Sequence, residues 1–257
     1  MMKEMFSLRA GHPLLEELRK HIYAHRGFHK KSEIPENSLA AFQRAVDRGW
    51  GVEFDVHLLK DGSLVVFHDS DLGRCTGAEG VLEELTLPEA RKLRLEGTEE
   101  RIPTFDEVLS VCRNTPMIIE LKAYKGNQKA LAEAVCKRLD SVTAPFCIES
   151  FDPRAIAAVR KFRPQFVRGQ LAADFIKDKD VELADWLRGI LTDLRMDFLS
   201  RPDFIAYKYE DRDRSSLCKA IGKGVQEVSW TIRKKEDLDR CREEGTIPIF
   251  EQFDPEE

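Results

Sequence analysis

The 257-residue chain contains no apolar run approaching the ~20 residues that span a bilayer, so no stable membrane insertion is expected. Lys3, Glu4 and Arg9 interrupt the first residues, so no signal-peptide core is expected there and a cytoplasmic location is. No Cys-x-x-Cys pair occurs. Cys75, Cys112, Cys136, Cys147, Cys218 and Cys241 are spaced widely and irregularly, which predicts reduced thiols and not a disulfide framework. No Gly-x-Gly-x-x-Gly or Walker-type sequence is present, which weakens nucleotide-fold readings. Gly/Ser linkers, low-complexity tracts and short internal repeats are missing too. Nor is there an excess of positive charge: Lys+Arg 41 against Asp+Glu 46 gives a net charge of −5. That argues against a general nucleic-acid binder, though a local basic pocket for one phosphate stays open.

What is present is an ordinary globular composition, 34% charged and 42% hydrophobic, long enough to bury a full core. A strand-like run followed by a helix-like run recurs along the chain. Strands are expected at 21–25, 52–58, 117–121, 144–149 and 166–171, weakly at Met196–Leu199, then at 226–230 and 247–250. Helices are expected from Glu36-Asn37-Ser38 to Arg48, from Asn127 to about Leu139, from Asp152-Pro153 to about Phe162, and over Lys235–Glu244. Eight such units predict an α/β fold with a parallel sheet, most economically a TIM-like (β/α)8 barrel. A doubly wound open sheet is the rival. The 61–103 stretch is too long for a simple βα loop and reads as a small insertion after the second strand, above the barrel rim, within a single domain spanning 1–257.

The chemistry-bearing residues cluster at expected strand ends. Glu53 and Asp55 stand two apart on one strand, so both face one side of the sheet. Two carboxylates on a buried face repel and cost desolvation unless a cation compensates, which makes them candidate ligands for a hard divalent ion. Two surface acids are the alternative. Glu120 ends the third strand, where parallel barrels put active sites, and is a third candidate ligand; Lys122 beyond it is placed to meet an oxyanion. His25-Arg26-Gly27 ends the first strand, and His68-Asp69 ends the apolar run Leu64–Phe67. Each histidine is a candidate acid or base, and Arg26 offers a planar fork suited to phosphate. His57 reads as a barrel or rim histidine. His12, His21 and His29 have no such context. Trp230 ends the seventh strand as either core or an apolar ligand wall, and the cationic residues at 233–235 read as a solvated helix entry.

These pieces in order resemble the glycerophosphodiester phosphodiesterase family. The matching series is Ala24-His25-Arg26-Gly27, Pro35-Glu36-Asn37-Ser38 with Ala41-Phe42, Glu53-Phe54-Asp55-Val56, Lys60-Asp61-Gly62, and His68-Asp69 with Leu72-x-Arg74-x-Thr76. It continues through Ile102-Pro103-Thr104, Glu107-Val108-Leu109, Glu120-Leu121-Lys122, Ser150-Phe151 and Trp230-Thr231. The resemblance implies a TIM-like barrel with an insertion after the second strand. It implies His25 and His68 as the acid/base pair, Glu53, Asp55 and Glu120 as ligands of one divalent cation, Mg²⁺ or Ca²⁺, and Arg26 and Lys122 as phosphate binders. The implied substrates are small glycerophosphodiesters, cleaved to glycerol 3-phosphate and an alcohol. A substrate hydroxyl would attack phosphorus as one histidine takes its proton and the other protonates the leaving alcohol. Water would then open the cyclic phosphate with the roles reversed.

Two departures stand out. Leu59 replaces the family's usual Thr before Lys-Asp-Gly, and the family's closing Thr-Asp and Pro after a Gly are absent from the chain after Gly245, unless Asp254-Pro255 is a displaced version. Barrel closure at that end is therefore an open expectation. Two alternatives remain: a lysophospholipase D-type enzyme, which needs an apolar channel near 61–103, and a non-catalytic binder of phosphorylated metabolites. Headgroup preference and oligomeric state are not determined by these patterns.

Overall fold

The computed structural model describes residues 10–178 and 184–257; Lys3, Glu4 and Arg9 lie outside them. In chain order the elements are α1 (Pro13–Leu18), β1 (Tyr23–His25), α2 (Leu39–Asp47), β2 (Gly51–Leu58), β3 (Leu64–Val66), α3 (Gly73–Thr76), α4 (Leu87–Ala90) and α5 (Phe105–Val111). They continue with β4 (Met117–Leu121), α6 (Gln128–Leu139), β5 (Phe146–Ser150), α7 (Pro153–Phe162), β6 (Arg168–Ala172), α8 (Asp185–Thr192) and α9 (Asp197–Ser200). The last are β7 (Phe204–Lys208), α10 (Ser215–Ile221), β8 (Gln226–Ile232), α11 (Lys235–Glu243) and β9 (Ile247–Phe250).

Local chemistry sets the helix starts. Ser38 Oγ accepts from the Ala41 amide at 3.1 Å to open α2. Thr104 and Glu107 form a reciprocal capping box on α5. Asp152 caps α7 ahead of Pro153, whose missing N–H is harmless in a first turn. On α2, Ala41, Phe42 and Ala45 are buried while Leu39 and Val46 pack at the margin.

Parallel pairing runs β1-β2-β4-β5-β6-β7-β8-β9 and returns from β9 to β1. The sheet is therefore a closed eight-stranded barrel, and the open-sheet alternative is excluded. β3 is extra and antiparallel, hairpinned on β2. One expected strand is wrong. Met196–Leu199 does not join the sheet; Asp197–Ser200 is a helical turn, and the barrel strand is Phe204–Lys208. Pro202 separates the two, and only the later run keeps the alternation that fills both faces of a barrel strand.

Strand parity divides the core into two layers. Tyr23, Ile118, Cys147, Leu171, Phe204, Ala206, Val228, Ile247 and Ile249 pack inside the barrel. Ala24, Val52, Phe54, Ile119, Ile148 and their neighbours pack outward against the helices. Large rings fill the interior because glycines stand beside them: a Cβ at Gly169 would lie 2.1 Å from the Phe204 ring, and one at Gly51 2.6 Å from Tyr23. α1 sends Leu15 and Leu18 into the same inner cluster, and Arg19 bonds Gln226 Oε1 at 2.7 Å, closing the amino-terminal end. The insertion carries its own small core of Val65, Phe67, Leu72, Leu82, Leu95 and Ile102 with Leu59, which explains how Leu serves in place of the family's Thr. All six cysteines are free thiols. Among the described residues, no helix is long and apolar enough to cross a membrane.

Candidate active site

The interior parity that buries Ile118 and Cys147 low in the barrel delivers charged groups at its carboxyl end. His25 follows Tyr23, Asp55 follows Glu53, Lys122 follows Glu120, and Phe151 follows Glu149, each two residues on. Strand register aligns them side by side: His25 with Glu53, Asp55 with Glu120, and Glu120 with Glu149. The expected group of His25, Arg26, Glu53, Asp55, Glu120 and Lys122 is thus gathered at one mouth.

Glu53, Asp55 and Glu120 are all buried, and one oxygen from each lies within 4.8 Å of the others. Burial and the charges of Asp55 and Glu120 push the Glu53 carboxyl well above its usual range. Burial likewise raises Glu120 to about 7, against the pull of Lys122. For Asp55, burial is outweighed by Lys122, His68 and Arg26, which hold it well below the ordinary value. Lys122 Nζ stands 2.9 Å from Glu120 and 3.1 Å from Asp55, and Asn37 Nδ2 donates to Asp55 at 2.8 Å. Hard oxygen donors this close, two of them resisting ionisation, fit a divalent cation of the Mg²⁺ or Ca²⁺ type.

Both candidate histidines are oriented by carboxylates. His25 Nδ1 donates to Glu251 Oε2 at 2.7 Å, leaving Nε2 to face Glu53 at 3.9 Å. His68 Nδ1 donates to Asp69 Oδ1 at 2.5 Å. Since a carboxylate only accepts, the other nitrogen, Nε2, is in each case the one left for a substrate. Burial lowers both imidazoles, His68 to about 4 with further help from Lys122. His57 is a strut: fully buried, its Nδ1 meets Glu83 at 2.7 Å and its Nε2 meets the backbone carbonyl of His68 at 3.2 Å.

Arg26 sits in left-handed backbone at φ 54°, which turns its amide onto Glu53 at 3.1 Å. Its Nη1 donates to Glu36 at 2.7 Å, and its buried Nε, which makes no hydrogen bond, lies 3.7 Å from Asp55 Oδ2. Arg74 from the insertion clamps Glu36 from the other side at 2.7 and 2.8 Å and also holds Asp69. A cavity of about 1120 Å³ opens outside this group, with His25, Arg26, His29, Arg74, Arg233 and Glu251 on its walls. Trp230 is half-buried, its ring edge-on to Phe151 at 5.7 Å, and its Nε1 is buried without a partner.

Sequence reading missed four members. Glu251, one residue past β9, holds His25 and is itself held by Arg233 Nη2 at 2.7 Å. Arg233 was expected to be merely solvated. Glu149 is fully buried beside Glu120. The signal was available for both acids, because the rule that picks Glu120, an acid closing an apolar strand, also picks them. His29, expected to be without context, stands 3.9 Å from Glu251. The unusual residues after Gly245 do close the barrel: β9 pairs with β1 through Tyr23–Ile249 and Ala24–Phe250.

A parallel eight-stranded barrel with histidines, basic groups and an acidic trio at its carboxyl end defines an active-site mouth suited to acid/base chemistry on an anionic substrate. Sequence comparison makes that specific: the chain belongs to the Glycerophosphoryl diester phosphodiesterase family, matching it over residues 25–253, and such enzymes are hydrolases. It is 32% identical over 248 residues to a glycerophosphodiester phosphodiesterase of Caldanaerobacter subterraneus, covering 91% of this chain and 94% of that one. The human glycerophosphodiester phosphodiesterase 1 is 30% identical, over 88% of this chain and 76% of its own. Among solved structures, an Oleispira antarctica phosphodiesterase in complex with the product sn-glycerol-3-phosphate superposes with TM-score 0.74 at 23% identity, covering 92% and 94% of the two chains. A Thermotoga maritima glycerophosphodiester phosphodiesterase gives TM-score 0.67 at 26% identity, with 90% and 94% covered.

Proposed function

We propose that the protein hydrolyses small glycerophosphodiesters, such as glycerophosphocholine, to glycerol 3-phosphate and an alcohol in a metal-dependent reaction. The observation that carries this reading is a pair of histidines, each oriented through Nδ1 by its own carboxylate, flanking a buried acidic trio with Arg26 and Lys122. Glu53, Asp55 and Glu120 would hold one divalent cation, Mg²⁺ or Ca²⁺. When bound, that ion supplies Lewis-acid polarisation of a phosphoryl oxygen.

The chain's own groups do the rest. Arg26 and Lys122 bind the phosphate and oppose the charge that grows on it during attack. Holding the neighbouring glycerol hydroxyl beside phosphorus makes the attack intramolecular. One histidine takes the hydroxyl proton at Nε2 and the other returns a proton to the leaving alcohol, giving a cyclic phosphate that water opens with the roles exchanged. Trp230 forms an apolar wall of the substrate pocket. The family match over residues 25–253 and the closed barrel support the reading of one domain over 1–257 with its rim insertion at about 61–103.

The test is turnover by purified protein on glycerophosphocholine and on lysophosphatidylcholine, with Mg²⁺, with Ca²⁺ and with EDTA. Glycerol 3-phosphate release from the first substrate, abolished by EDTA, is expected. Preferential choline release from the lysolipid would favour the lysophospholipase D reading, and phosphate-ester binding without turnover would leave a binder.

A further inference from the structure

Glu149 is a carboxyl that the mechanism above does not use. It lies on β5 in register with Glu120, two strands from Asp55, and is only 1% exposed. Its parity places it inside the barrel with Cys147. Its Oε2 has no hydrogen-bond partner. It stands outside the acidic trio, since no set of mutually close ligand atoms among the described residues includes it. A buried acceptor without a partner is costly, and a leucine of similar size would avoid that cost. Such a group is expected where a ligand completes it.

The surroundings narrow the ligand. Arg26 and Lys122 already provide for the phosphate, which leaves Glu149 for another part of the substrate. Phe151 lies two residues above and meets Trp230, whose Nε1 is a buried donor without an acceptor. An orphan acceptor below an aromatic wall carrying an orphan donor suits a neutral hydroxyl, which both donates and accepts. A glycerophosphodiester has one hydroxyl that attacks and a second at the far end of glycerol. The attacking hydroxyl and the leaving alcohol are both taken up by the histidines, which leaves the terminal hydroxyl of glycerol for other groups on the wall of the mouth.

We infer that Glu149 accepts a hydrogen bond from the terminal hydroxyl of the substrate's glycerol and so makes the site selective for glycerol over shorter or deoxygenated diols. The inference rests on the phosphodiesterase reading and specifies its substrate recognition. Glu149 is a specificity-determining group and not a ligand of the cation.

The test compares glycerophosphocholine with the phosphocholine diester of propane-1,2-diol, which keeps the attacking hydroxyl and lacks the terminal one. The parent should favour the glycerol substrate in kcat/KM by about 10- to 100-fold. Glu149→Leu should lose most of that preference by slowing only on glycerophosphocholine. Glu149→Gln, which keeps an acceptor, should retain it within about threefold. Calorimetry of glycerol 3-phosphate and propane-1,2-diol 1-phosphate binding should show the same loss of discrimination in the leucine variant. Glu149→Ala replaces the leucine variant should that one not fold. Unchanged discrimination in these variants overturns the inference, as does a loss that appears equally on both substrates with a raised metal requirement, which would make Glu149 a cation ligand. Absence of turnover by the parent on either diester would instead overturn the phosphodiesterase reading.

Discussion

The two halves of the barrel mouth are built on opposite principles. On the β9-β1-β2-β4 side, charge is dense and largely paired: Glu251 holds His25, Asp69 holds His68, Glu36 is gripped by Arg26 and Arg74, and Lys122 bridges Asp55 and Glu120. On the other side, the loops beyond β5 and β6 form an apolar groove of about 530 Å³, walled by Phe151, Phe175, Trp186, Leu187, Leu191 and Met196. The charged half needs the barrel. Only fixed register across adjacent strands can hold like charges within a few ångströms of one another, and their repulsion is a reserve that a cation or phosphate relieves. The apolar half needs no such precision and is carried on α8 and on segments outside the barrel strands, with Trp186 70% exposed.

The comparison predicts that damage is graded from one half to the other. Replacing His25 or His68 by Ala should lower kcat by about 10²- to 10⁴-fold while the fold survives, because each removes a proton carrier from an otherwise intact rim. Steady-state kinetics on glycerophosphocholine, with circular dichroism as the folding check, reads this directly. A variant with near-normal kcat would remove that histidine from the chemistry.

A smaller effect is expected at Glu36, which ties β1 to the insertion. Burial opposes its ionisation, yet Arg74 and Arg26 hold its pKa down to about 2 from the ordinary 4.5. A carboxyl depressed on folding stabilises the protein fully above its unfolded pKa and loses that contribution as pH falls through the folded one. Glu36→Gln should therefore cost about 1–3 kcal/mol near neutral pH, with the gap from the parent narrowing between pH 4.5 and 2. Denaturant titrations at several pH values measure it. A gap that stays constant with pH would mean that the two arginines are not held through this charge.

The architecture was legible because strand parity and strand ends are periodic features that short windows reveal. The acidic pair at 53 and 55, the strand-end Glu120 and the two His-plus-charge steps all come from such windows. Long-range pairing is another matter. That Glu251 meets His25 across 226 residues depends on β9 closing against β1, and nothing local in Ile247–Phe250 states its neighbour. Met196–Leu199 failed for the opposite reason: a short apolar run fits a helical turn as well as a strand, and the following Pro202 and the better-patterned Phe204–Lys208 decide between them. Glu149 was read as the end of a strand but not as a member of the site, since its significance lies in being buried without a partner.

The smallest effect should come from the apolar half. Trp186 lines the groove from α8, none of the described residues lining that groove belongs to the charged group around the trio, and Phe151 stands between the groove and Trp230. A small glycerophosphodiester reaches the acidic trio without needing that surface. Trp186→Ala should accordingly change kcat/KM for glycerophosphocholine by no more than about twofold, the range expected of an exposed side chain away from the chemistry. If the same change instead lowers turnover of glycerophosphocholine by tenfold or more, the groove belongs to substrate binding, and the division between a reacting half and a passive half fails.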